Sequence, residues 1–137
     1  MKYMRPALYG ILFSVLFFID RITKYYVMQY ITFHEISPLF SLCYVQNTGI
    51  SWGIADGCGD IAQYIIMIVV ALLIGAILQQ TIGKYKKYKN IFPEILVCAG
   101  AISNLYDRIF YGGVIDFLSF HYNGWQFPVF NIADMVS

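Results

Sequence analysis

Two stretches of the chain set a single carboxylate among apolar neighbours in a way that could do acid–base chemistry. Gly112-Gly113-Val114-Ile115-Asp116-Phe117 is a turn leading into an apolar segment with one acid, and Phe130-Asn131-Ile132-Ala133-Asp134 holds another, with Asn131 one turn before it. Two carboxylates at hydrogen-bonding separation in a partly dry site cannot both ionise readily, so one pKa rises and a proton is shared. Such a pair supplies an acid and a base together. The ionised partner draws a proton from water as it attacks a peptide carbonyl, and the protonated one donates to the developing oxyanion. Asn104, Arg108 and Asn131 are of the types that orient a substrate backbone or hold carboxylates in place. Taken singly, Asp134 also reads as a first-turn helix acid behind an Asn131 N-cap, and Asp116 as a solvated turn acid.

Rival chemistries fare worse. Zinc proteolysis calls for His-Glu-x-x-His, but His34-Glu35 is followed by Ile36, Ser37 and Pro38, and the other histidine is His121. A metal site is not expected. His121 with Ser103 or Ser119 would make a serine–histidine pair, yet no turn motif exposes either serine. Gly57-Cys58-Gly59-Asp60 and Tyr106-Asp107 echo the motifs of presenilin-type aspartyl proteases in reversed order; a glycine-rich loop with an acid ahead of a helix is the simpler account.

The elements that must position these residues belong in a bilayer. Of the 137 residues 59% are hydrophobic and only 12% charged, and a net charge of +1 gives no basic face for nucleic acid. Residues 61–82 are 22 consecutive uncharged positions, which at about 1.5 Å per residue cross a core of about 30 Å. Lys84, Lys86, Lys87 and Lys89 follow at once, and the positive-inside bias puts this loop, about 83–90, in the cytoplasm. Lys2 and Arg5 place the N-terminus there too. A first span is expected over about 6–30; the apolar run 6–19 is too short alone, so Asp20, Arg21 and Lys24 lie inside the helix, which reads as an uncleaved span. A third is expected over about 91–111, with Pro93 in its first turn, and a fourth over 129–137, incomplete because only eight residues run from Phe130 to the end. The connections at about 31–60 and 112–128 carry acids but no Lys or Arg and should face outward.

Polar groups inside spans are costly and point to a bundle interior. Gly100, Asn104 and Arg108, spaced by four, share a helix face flanked by Asp107 and Tyr111, while Asp20 and Lys24 are spaced as a favourable i,i+4 pair. Arg108 could instead only pair with Asp107 or snorkel to the interface. The outward segment 31–60, with β-branched and aromatic runs between turn formers, suggests a small sheet on the membrane surface. Cys43, Cys58 and Cys98 read as buried small hydrophobes, although the first two fall where a disulfide could persist.

Five blocks then resemble, in order, the lipoprotein signal peptidase (signal peptidase II) family: Asp20-Arg21-Ile22-Thr23-Lys24, Asn47-Thr48-Gly49-Ile50-Ser51-Trp52-Gly53, Gly100 through Asn104 to Asp107-Arg108, Val114-Ile115-Asp116-Phe117, and Phe130-Asn131-Ile132-Ala133-Asp134. Together they cover nearly the whole chain. The resemblance implies an α-helical membrane protein: a single domain of four transmembrane helices with both termini cytoplasmic and a small extracytoplasmic β cradle. It implies an aspartyl endopeptidase of the bacterial inner membrane that cleaves diacylglyceryl-modified prolipoproteins before the lipidated cysteine. Asp116 and Asp134 would be the catalytic dyad; Asn104, Arg108 and Asn131 would line the site, Asn47 and Gly49 shape the outward loop, and Gly100, Asp20 and Lys24 give support. Prolipoproteins and membrane lipids are the partners expected of a monomer, and the resemblance implies no metal or organic cofactor. Family members continue through a complete final helix, whereas this chain stops at Ser137, so its fourth helix is expected to be truncated. The alternatives are a channel or transporter subunit, or an inactive truncated member of the family.

Overall fold

The longest apolar runs become the longest elements, α1 (Met4–Tyr30) and α2 (Gly59–Lys86), in a computed structural model that describes residues 4–49 and 59–136. Both helices are apolar on nearly every side. Leu8, Ile11 and Phe18 on α1, and Ile61, Ile68 and Leu72 on α2, stay exposed, an arrangement that suits lipid and not water. Among the described residues, Pro6–Tyr30 and Ile61–Lys86 are long and apolar enough to cross a membrane. The second helix continues past residue 82 into the lysine run, where Lys84 pairs with Glu94 and cations suit the negative helix end.

A third helix, α3 (Phe92–Tyr111), has Pro93 in its first turn and ends at Gly112, whose φ of 74° lets its N–H reach the Arg108 carbonyl at 3.2 Å. Its buried face, Cys98, Ala99, Gly100, Ser103 and Asp107, packs against α1, while α2 packs against α3 from another side.

Four strands form one antiparallel sheet in the order β1 (Phe33–Ser37), β2 (Phe40–Asn47), β3 (Val114–Tyr122), β4 (Trp125–Gln126). The sheet is not confined to the first outward segment: β3 comes from the second and pairs with β2 along its length, with a bulge between Leu42 and Val45. Strict alternation is absent from the start of β3 because Val114 to Phe117 are all buried, a pattern that reads in sequence as one apolar run. The β3–β4 turn is Asn123-Gly124 with φ of 52° and 84°, the conformation that right-twisted hairpins require.

Phe130 then bridges to Leu118, accepting from the Leu118 N–H at 2.8 Å and donating to its carbonyl at 3.1 Å. This pins the start of α4 (Ile132–Val136) beside β3. Trp52, Asp56 and Cys58, with the Cys43–Cys58 bridge and the Ile50–Gly53 part of the second block, lie outside the described residues.

Gly113 sits where the α3–β3 corner crosses the end of β2. A Cβ there would lie 3.0 Å from the Asn47 carbonyl oxygen and 3.2 Å from its carbon, and backbone cannot swing aside as a side chain can. Gly113→Ala should therefore destabilise the protein by about 1–3 kcal/mol, the usual penalty for overpacking. Thermal unfolding in detergent reads it, and an unchanged midpoint would mean that this corner yields.

Candidate active site

The site rests on a buried ionic cluster between α1 and α3. Lys24, 1% exposed, directs its Nζ to Asp20 Oδ2 at 2.7 Å, Asp107 Oδ2 at 2.7 Å and Asn104 Oδ1 at 2.8 Å. An ammonium has three protons, and each has an acceptor. Arg21 adds a contact to Asp107 Oδ1 at 2.6 Å and lies over the Tyr106 ring at 4.8 Å, so two cations face two anions. The remaining carboxylate capacity goes to the frame: Asp20 accepts from Ser103 Oγ at 2.6 Å and from the Ala133 N–H at 2.9 Å, and Asp107 accepts from the Ile115 N–H at 3.2 Å. Both chain segments that carry the candidate acids, β3 and α4, are thus tied to this cluster through their backbones.

Lys24 also fixes an amide. Because an ammonium only donates, it must face the oxygen of Asn104, which turns the Asn104 NH2 toward Asp134 Oδ1 at 2.8 Å. Asn131 occupies the middle. Its Nδ2 donates to Asp116 Oδ1 at 2.7 Å and approaches Asn104 Oδ1 at 3.1 Å; its Oδ1 accepts from the Asp134 N–H at 2.9 Å, and its own N–H donates to Asp134 Oδ2 at 3.1 Å. The last two bonds are reciprocal, a capping box at the start of α4. The first-turn reading of Asp134 thus holds alongside its place beside Asp116.

Asp116, on β3, is 2% exposed. Asn47 Nδ2 donates to its Oδ2 at 3.1 Å, and Asn47 Oδ1 is fixed in turn by the Gly49 N–H at 3.1 Å. Burial pushes the Asp116 carboxyl up to about 7; the Asn47 and Asn131 amides and the Lys24 charge pull it down, and the charge of Asp134 pushes it up further. Asp116 and Asp134 line one cleft of about 830 Å³ together with Asn47, Asn104 and Arg108. Away from this polar end the cleft is walled by apolar residues of α2 and α3, among them Val69, Leu73 and Ile77. Among the described residues the polar groups of this cleft gather at one end, which does not favour the channel reading.

The other predicted residues fall as follows. Arg108 lines the cleft, but it neither pairs with Asp107 nor merely snorkels: it donates to the Gly49 carbonyl at 2.8 Å and to Gln63 Oε1 at 3.2 Å. Gly49 is thereby held between Asn47 and Arg108. Gly100 is buried on the α3 face and does not line the cleft. Ser103 and Ser119 bond to Asp20 and Gln126, leaving the serine–histidine idea without a geometry. Spacing had not singled out Gln63, which clamps Arg108 from α2, or Arg21 and Ser103, which complete the ionic cluster. A polar residue one turn into an otherwise apolar span was the available signal for Gln63.

Comparison with known proteins decides the family. Signal peptidase (SPase) II matches residues 12–136. The chain belongs to the signal peptidase II family. The lipoprotein signal peptidase of Actinobacillus succinogenes is 36% identical over 127 residues, 89% of this chain and 77% of that protein. Its counterpart in Buchnera aphidicola subsp. Schizaphis graminum is 36% identical over 138 residues, 96% of this chain and 88% of the relative. A solved bacterial membrane enzyme, determined by the in meso method at 2.3 Å resolution, is 26% identical and superposes with a TM-score of 0.75 over 95% of this chain and 80% of that one. Signal peptidase II membership makes the chain a protease of the aspartic type.

Two outcomes follow from the geometry. Lys24→Met leaves Asp20 and Asp107 buried without their shared cation, and stability should fall by about 3–5 kcal/mol in thermal unfolding; a variant as stable as the parent would remove the cluster from its structural role. The second concerns pH. With a folded pKa near 7 against an ordinary 3.8, Asp116 binds its proton more tightly in the fold, so its contribution is complete below about 4 and is lost as pH rises through 7. Asp116→Asn should gain on the parent steadily between pH 4 and 7, and a stability difference independent of pH contradicts this.

Proposed function

We propose that this protein is an aspartyl endopeptidase that removes signal peptides from diacylglyceryl-modified prolipoproteins, cutting before the lipidated cysteine, with Asp116 and Asp134 as the catalytic pair. Family membership supports the reaction, and one observation carries the choice of residues: Asn131 hydrogen-bonds both carboxylates across a single cleft. A water held between the two acids attacks the scissile carbonyl. The ionised carboxylate takes its proton while the protonated one donates to the carbonyl oxygen; collapse of the tetrahedral intermediate breaks the C–N bond, and the proton drawn from water passes to the leaving amine. A carboxyl poised near 7 suits a pair that must hold one proton at neutral pH.

The amides of Asn104, Asn131 and Asn47 hold the carboxylates in position, and Arg108 with Gly49 braces the loop above them. Asp20 and Lys24 support this arrangement from below. The apolar wall of α2 and α3 would take the hydrophobic helix of the signal peptide.

The topology that fits is one domain of four membrane helices, the last beginning at α4, with both termini cytoplasmic and the sheet as an extracytoplasmic cradle in the inner membrane. From Gln63 to Lys84 α2 rises about 30 Å, the thickness of a bilayer core, so the acids and the lysine cluster lie at opposite faces. The described residues that line the cleft all belong to one chain, and we take the protein as a lipid-embedded monomer.

Asp116→Asn and Asp134→Asn should each lower cleavage of a diacylglyceryl-modified prolipoprotein by at least about a hundredfold, the lower end of what acid–base groups contribute. Membrane insertion, followed by fractionation, should be unaffected. Parental turnover in either variant would remove the dyad.

A further inference from the structure

The end of the molecule remote from the acids carries a second cleft, of about 630 Å³, formed by Leu8 and Tyr9 of α1, Tyr88, Lys89 and Asn90 of the connection, and Phe92 of α3. Lys89 lines it, Lys84, Lys86 and Lys87 come just before it in the chain, and Glu94 pairs with Lys84. Lys84 takes up Glu94; Lys86, Lys87 and Lys89 are exposed and form no ion pair among the described residues.

The turn beside this cleft is built at a cost. Lys89 N–H reaches the Lys84 carbonyl at 3.0 Å and Tyr88 N–H the Tyr85 carbonyl at 3.0 Å, the bonding of a helix end that normally places glycine at the left-handed position. Here that position is Tyr88, with φ of 55°. The Tyr88 ring lines the cleft at this left-handed turn. Tyr9 Oη, 3.4 Å from Asn90 Oδ1, adds polar groups to the same wall, while Leu8 and Phe92 remain 64% and 46% exposed.

We propose that this cleft binds one anionic glycerophospholipid of the cytoplasmic leaflet. The lysines take the phosphate, Tyr9 and Asn90 face the polar headgroup, and Leu8, Phe92 and Tyr88 cover the first part of an acyl chain. Three cations without an ion pair among the described residues, an amphipathic cleft and a position one bilayer thickness from the acids converge on that ligand. The inference draws on the topology above and not on the carboxylate pair, so a catalytically dead chain would still hold the lipid.

The test is native mass spectrometry of the full chain released from neutral detergent with equal amounts of phosphatidylglycerol and phosphatidylcholine. The intact protein should retain one phosphatidylglycerol in preference. At about fivefold per lysine, the combined Lys86→Gln, Lys87→Gln and Lys89→Gln variant should weaken retention about a hundredfold while cleavage is unchanged. Tyr88→Gly separates a built site from diffuse charge: it relaxes the turn, so thermal stability should hold or rise while lipid retention falls. Equal retention of the two lipids, an unaffected triple variant, or an unaffected Tyr88→Gly would each overturn the proposal. So would complete displacement by millimolar inorganic phosphate, which would mark a site for the free anion.

Discussion

Everything at the polar end of this molecule depends on one ammonium having three acceptors. Removing Lys24 from water costs several kcal/mol, and the cost is met only if every proton is bonded and the charge is balanced nearby. Asp20 and Asp107 balance it; Asn104 takes the third proton. From that single requirement come the docking of α1 against α3, the orientation of the Asn104 amide and the backbone anchors on Ile115 and Ala133. The cluster makes no contact with Asp116 or Asp134 through its own carboxylates, yet it determines where both can be.

The two acids are held by amides, and this matters for their chemistry. An amide donor stabilises a carboxylate without adding the positive charge that would keep it permanently ionised. Asp116 therefore responds chiefly to its burial and sits near 7 despite two hydrogen bonds and the Lys24 charge. Asn131 serves both acids because Phe130, paired with Leu118, delivers it to the flank of β3. The same residue caps α4, so local helix chemistry and the presentation of Asp134 are one structure.

Much of this was legible in the sequence where the relation is local. The Asp20–Lys24 spacing, the Asn131–Asp134 cap and the long uncharged run each involve residues within one helix, and the structure has each of them. What escaped is non-local. Asp107 and Arg108 are neighbours in sequence but point about 100° apart around α3, one into α1 and the other toward α2 and the Gly49 loop. Helical spacing ranks residues on a face without saying which partner that face meets. The membership of β3 in the sheet was hidden for a similar reason: pairing with β2 joins residues about seventy apart, and burial on both sides erased the alternation that marks a strand.

Among the described elements, α2 packs against α3 alone. The apolar length of the cleft is therefore the shared work of these two helices, with Val69, Leu73 and Ile77 lining it. An apolar segment laid along that wall reaches the polar end over hydrocarbon side chains. A soluble peptide of identical sequence would have to abandon its hydration shell first. Such a wall favours apolar segments over polar ones before any single residue of them is recognised.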